Sequence, residues 1–251
     1  MPDRAVAPTP QLSARIGGSL YLFIILAGGF AEGFVRGKLI VSGNATVTAN
    51  NIMASQSLWR IAFAGELALY VCAVALVLIL YVLLRLVNRD IALLAAFFNL
   101  VSIAIEAINS LLHFAPLLLL GGADYLRVFT PHQLQALALL FLDLHEYGFG
   151  ISLLIFGFVL LTNGYLIFKS GYLPKTLGVL LTIASLCYVT NSVALFLAPT
   201  VEAMIFPGIL FPAGIAELSL SLWLIVMGVD VQKWEEKANR LTRSRGATAG
   251  A

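Results

Sequence analysis

Long apolar runs broken by short polar interruptions dominate this chain and set its architecture before any motif is considered. A helix needs about 20 predominantly apolar residues to cross the hydrocarbon core of a bilayer. Six runs reach that length: Ile16–Val35, Ile61–Leu84, Ile91–Leu117, Leu137–Phe168, Thr176–Ala198 and Gly208–Val229. The fourth apolar stretch begins near Leu134, which predicts a helix that overhangs the membrane or tilts. The breaks are rich in turn formers: Ser42-Gly43-Asn44, Asn88-Arg89-Asp90, Gly121-Gly122, Gly171 with Pro174, and the segment from Pro199 to Pro207. No two-residue alternation recurs, which argues against an outer-membrane barrel. The expected fold is all-α: one six-helix transmembrane bundle over residues 13–230, preceded by a tail over 1–12 and followed by a basic tail over 231–251.

Composition removes the soluble alternatives. Of 251 residues, 60% are hydrophobic and 11% charged, against about 45–50% and about 25% in soluble domains. A net charge of +2 gives no reason to expect a nucleic-acid partner. Cys72 and Cys187 lie inside apolar runs and read as core thiols. Of the 15 basic residues, all but Arg36, Lys38, Arg60 and Arg127 fall in segments on one side of the six spans. By the positive-inside rule that side is cytoplasmic, so both termini are expected in the cytoplasm.

The remaining polarity is concentrated inside the spans. Six acids interrupt them: Glu32, Glu66, Glu106, Asp143, Glu146 and Glu217, joined by His113 and His145. An intramembrane acid costs several kcal/mol and faces a bundle interior or an aqueous cavity, so each marks a candidate site. Counting about 1.5 Å of rise per residue places all six in the outer half of the membrane. On the third span Asn99, Ser102, Glu106, Asn109 and His113 recur at spacings of three and four, a single polar stripe that must face inward. Glu66 and Tyr70 share a face of the second span. Asp143, Glu146, Tyr147 and Gly150 share one on the fourth, with His145 about 200° around from Asp143. Glu217 shares a face of the sixth span with Gly214 and Ser221. Gly29, Gly33 and Gly37 carry the spacing of a close helix crossing. Glu32 lies one turn from Arg36 and reads as half of a rim ion pair.

The pocket expected from these residues comprises Glu66, Glu106, Asn109, His113, Asp143, Glu146 and Glu217. His145-Glu146 lacks the second His of the zincin pattern, because residue 149 is Phe149. A metal held by His113, His145 and Asp143 remains as an alternative that the spacing allows but does not demand.

Five runs carry a resemblance: AEGFVRGKLIV (31–41), LLRLVNRDIALLAAFF (83–98), LQALALLFLDLHEYG (134–148), GYLIFKSGYLPKTLGVLL (164–181) and AELSLSLWLIVMG (216–228). Together they resemble the bacterial membrane proteins grouped as domain of unknown function 4386, over about Ser13 to Gly228. The resemblance implies a multi-pass protein of the bacterial cytoplasmic membrane and carries over no activity or catalytic residue. The expected partners are the lipid bilayer and a small cation or other small-molecule ligand. Three functions stay open: proton-coupled binding or transport of a cation or cationic solute, a metal-dependent intramembrane enzyme, and a sensor or accessory protein. The residues do not decide a cofactor or an oligomeric state.

Overall fold

A computed structural model describes the backbone of residues 9–249 and the side chains of residues 9–241; of the expected charge sorting, Arg4 and the side chains of Arg243 and Arg245 lie outside these. Among the described residues nine helices follow in chain order: α1 (Pro10–Leu39), α2 (Ala45–Ala54), α3 (Gln56–Leu84), α4 (Arg89–Leu119), α5 (Pro131–Ser170), α6 (Lys175–Leu197), α7 (Pro199–Ile205), α8 (Phe211–Val226) and α9 (Val231–Ala249). Among the described residues there is no strand. Six of the helices are long and apolar enough to span a bilayer: α1, α3, α4, α5, α6 and α8 with the 3-10 turn that precedes it. The fold is therefore an all-α membrane bundle.

Local chemistry places the helix ends. Thr130 and Gln133 form a reciprocal capping box at the start of α5, where Pro131 takes the first helical position and needs no N–H partner. The same helix ends at Gly171, whose φ of 80° is left-handed backbone that glycine adopts without strain. Asn88 caps α4 by accepting from the backbone N–H groups of Asp90 and Ile91. The 40 residues of α5 are longer than a straight crossing needs, as its long apolar stretch predicted, so this helix overhangs or tilts.

The bundle is inverted relative to a soluble protein. Leu26, Val71, Ile108 and Leu186 are more than 60% exposed, which suits a lipid surface and no aqueous one. Inside, the larger apolar cluster gathers around Leu80, Leu83, Leu84, Leu166, Leu181 and Leu224 at the end that carries the termini. A smaller one, built on Val35, Ile52, Trp59, Leu117 and Leu142, lies toward the opposite end. Gln11 ties the start of α1 to the end of α8, donating to the Met227 carbonyl at 2.9 Å and accepting from the Val229 N–H at 3.0 Å. Tyr172 and Trp234 both donate to the Leu83 carbonyl, at 2.6 and 3.3 Å, which satisfies an otherwise orphaned group in the last turn of α3.

Three expectations change. The first span does not stop at Val35: a π-helical segment, Phe30–Arg36, carries α1 on to Leu39. Its wider turn keeps the chain helical while Val35 and Arg36 both face the interior. The basic tail expected over 231–251 begins as a further helix, α9, with the Asp230 carboxylate accepting from the Lys233 N–H at its first turn. Finally, Gly29, Gly33 and Gly37 are exposed, and a Cβ at Gly29 or Gly33 would meet nothing within 4 Å. The close crossing of α1 is made at Gly18, where a Cβ would stand 2.8 Å from the Ser221 oxygen and the Ile225 nitrogen of α8.

That contrast gives a stability test. Gly18→Ala should lower stability by about 1–3 kcal/mol through overpacking against rigid backbone. Gly29→Ala should leave it unchanged or raise it by up to about 1 kcal/mol, since alanine favours the helix. Thermal unfolding of both variants in detergent separates the two outcomes.

Candidate functional site

At the end of the bundle away from the termini, four spanning helices bring ionisable side chains into one buried network. Its centre is Glu66 on α3, with its side chain only 5% exposed. One carboxylate oxygen accepts a short hydrogen bond from the Arg36 guanidinium of α1. The other lies 3.1 Å from Nδ1 of His113 on α4. Arg36 continues the network, with Nη1 at 2.5 Å from Glu32 and at 3.0 Å from the nearer ring nitrogen of His145 on α5. His145 Nε2 stands 3.8 Å from Glu106 on α4, and the His113 and His145 rings are 5.3 Å apart.

Neutral groups fix this arrangement. Trp59 packs edge-on against His113, its ring centroid 4.3 Å away, and its indole donates to the His113 carbonyl at 3.1 Å. Asn109 donates to the His145 carbonyl at 2.9 Å and so ties α4 to α5 one turn before His113. Tyr70 reaches the Glu106 carbonyl at 3.4 Å. His113 is fully buried, while the Glu32 side chain is 40% exposed. Glu32 therefore forms the accessible edge of the network and His113 its interior.

The stripe on α4 faces inward as its spacing requires: Asn99, Ser102, Asn109 and His113 are all buried. The other expected pocket residues divide. Glu66, Glu106, Asn109 and His113 come together. Asp143 and Glu146 do not, because both lie on the exposed face of α5. The 200° separation of His145 from Asp143 is real, and it is the His145 side that faces the interior. Glu217 belongs to a different site, where it accepts from the hydroxyls of Tyr21, at 2.9 Å, and Tyr188.

The ion pair of Glu32 with Arg36 expected from their spacing is present. It is not confined to the rim: Arg36 is buried and also pairs with Glu66 of the next span. The alternative metal set is not assembled either: among the described residues no group of three or more His, Cys, Asp or Glu is arranged to hold a metal ion. Asp143 points away, and the Arg36 guanidinium beside His145 opposes a second cation there.

Two electrostatic facts define what the network can do. It holds three carboxyls against a single guanidinium, so neutrality needs protons on carboxyls or imidazoles, or a bound cation. It also leaves three buried polar atoms without a hydrogen-bond partner: Arg36 Nε, Glu106 Oε2 and His113 Nε2. Buried polar atoms are nearly always paired, so three orphans in one cluster are positions at which the network can still give or take a hydrogen bond or a proton.

Comparison with known proteins adds a family and no activity. A family model described as a domain of unknown function (DUF4386) matches residues 16–228. No curated protein and no solved structure matches the chain.

Removing the guanidinium strands buried acids. Arg36→Gln should cost about 3–5 kcal/mol, the usual penalty for breaking a buried pair from one side. Asp143→Asn and Glu146→Gln should stay within about 0.5 kcal/mol of the parent. Denaturant unfolding of the three variants in one detergent checks both statements.

Proposed function

The chain belongs to the DUF4386 family, whose description assigns no activity, and we propose on the geometry that its Glu66 network exchanges protons and couples them to binding or movement of a small cation or cationic solute. The observation that carries this reading is the charge imbalance: three carboxyls and two imidazoles share one guanidinium in a buried cluster. Such a cluster changes its proton content whenever a cation approaches or leaves, because like charges in a low dielectric repel strongly. Glu66 is held by Arg36, and His113 adjoins it with Nε2 free to exchange a proton. Glu106, with one oxygen unpartnered, is the second exchanging carboxyl. Glu32 connects the cluster to the exterior.

The sorting of lysines and arginines supports cytoplasmic termini, and on our reading, in a bacterial inner membrane, this network opens outward. Asp143 and Glu146, exposed nearby on α5, add negative charge that draws cations toward that end. The competing account is a sensor or accessory protein in which the network only fixes packing. The carbonyl hydrogen bonds from Trp59 and Asn109 favour it, since they anchor helices irrespective of proton content.

Purified protein in liposomes with an internal pH dye separates these accounts. Inward gradients of sodium, potassium, methylammonium or benzylammonium are imposed in turn. At least one should move protons outward, and Glu66→Gln or Glu106→Gln should slow that movement at least tenfold. Asp143→Asn and Glu146→Gln should stay within about threefold, on the scale of a screened surface charge. Proton movement that is absent with all four cations, or unchanged in Glu66→Gln and Glu106→Gln, leaves only the packing role.

A further inference from the structure

A second polar site lies apart from the Glu66 network. Between α1, α3, α4, α5, α6 and α8 is a cavity of about 220 Å³ lined by Glu217, Tyr21, Tyr188, Asn99, Asn163 and Phe156, among others. Most of its wall is apolar, with a few convergent polar groups, the usual make-up of a small-molecule site. The Glu217 carboxylate accepts from Tyr21 at 2.9 Å and from Tyr188. A carboxylate has about four lone-pair positions, so two remain for a ligand. Among the described residues no Lys, Arg or His nitrogen lies within 4.0 Å of it. The two hydroxyls occupy one carboxyl oxygen each, so both oxygens keep a position at which to accept from a ligand's N–H groups.

We infer that this cavity binds a small organic ammonium ion, with its charged group on Glu217 and its hydrocarbon part among the aromatic walls. Size supports the class. Benzene fills an apolar cavity of about 150 Å³, so about 220 Å³ takes a molecule of roughly nine non-hydrogen atoms by proportion. The walls support it as well: Tyr21, Tyr188 and Phe156 line the cavity, and aromatic rings attract a cation whose water has been removed. Asn99 and Asn163 offer amide carbonyls to further N–H groups.

The location ties this site to the first. Asn99 and Ser102 line the cavity, while Glu106, Asn109 and His113 further along the same stripe of α4 belong to the network. From Asn99 to His113 the stripe rises about 21 Å. The inference deepens the proton-coupled reading by naming the solute class and rests on that reading for its purpose. Binding itself does not depend on it.

Calorimetry on the detergent-purified, full-length chain tests the inference without any gradient. Benzylammonium is the probe and benzyl alcohol its uncharged counterpart of nearly the same shape. The wild-type protein should bind benzylammonium at least tenfold more tightly than benzyl alcohol. Glu217→Gln should lose at least tenfold for the cation and little for the alcohol, whereas Glu217→Asp should retain part of the preference. Asp143→Asn, which lies in neither site, should bind benzylammonium within about threefold of wild type. Equal affinity for amine and alcohol in the wild type overturns the inference, and that measurement needs no variant to fold. Failure of the proton-movement test with this preference intact removes the coupling and leaves the site.

Discussion

The ion pair between Arg36 and Glu66 is the contact on which the far end of the bundle depends. Taking two charges out of water costs several kcal/mol per ion, and close geometry with further hydrogen bonds must offset that cost. Around this pair the structure supplies them: His113 on the second oxygen of Glu66, and Glu32 and His145 on the guanidinium. Meeting that demand takes contributions from α1, α3, α4 and α5. It requires α1 to stay helical past Gly29, through the π segment that turns Arg36 inward. It also requires Trp59 and Asn109 to hold the backbones of the two histidines in place. The apolar cluster at this end is the smaller one, so polar contacts carry more of the helix packing here than near the termini.

Two buried polar sites then share one helix. The stripe along α4 enters the Glu217 cavity with Asn99 and Ser102 and reaches the Glu66 network with Glu106, Asn109 and His113. Where the stripe lines the cavity, Ser102 and Ser152 exchange hydrogen bonds with one another's hydroxyls and carbonyls, which ties α4 to α5 beside Glu217. The Tyr21 and Tyr188 contacts to Glu217 extend that connection to α1 and α6.

The bundle itself was legible in the sequence because a bilayer imposes a length and an apolar content that soluble folds do not. Six runs and their Gly, Pro and Asn breaks located six helices, and the three-and-four spacing on α4 predicted its buried stripe. What escaped was direction around a helix and partnership between helices. Asp143, Glu146 and His145 lie within one turn of α5, yet only His145 faces inward. Nothing in a single chain of apolar residues distinguishes those faces. The position of Glu217 along its helix gave no hint of Tyr21 and Tyr188, its partners on α1 and α6. The pairing of Glu32 with Arg36 was legible from their four-residue spacing, but the burial of the guanidinium was not, because no local residue pattern encodes the π segment that turns it inward. The glycine spacing at 29, 33 and 37 predicted a crossing that the chain makes at Gly18 instead, since several small-residue sites can serve one helix.

The central claim is that the Glu66 network exchanges protons, and infrared difference spectroscopy of the lipid-reconstituted protein across a pH step reads this directly. The account predicts a carboxyl C=O signal that titrates, shifts on adding a bound cation and disappears in Glu66→Gln or Glu106→Gln while persisting in Asp143→Asn and Glu146→Gln. A titrating signal that survives in both network variants, or that vanishes only with Asp143 and Glu146, would contradict it.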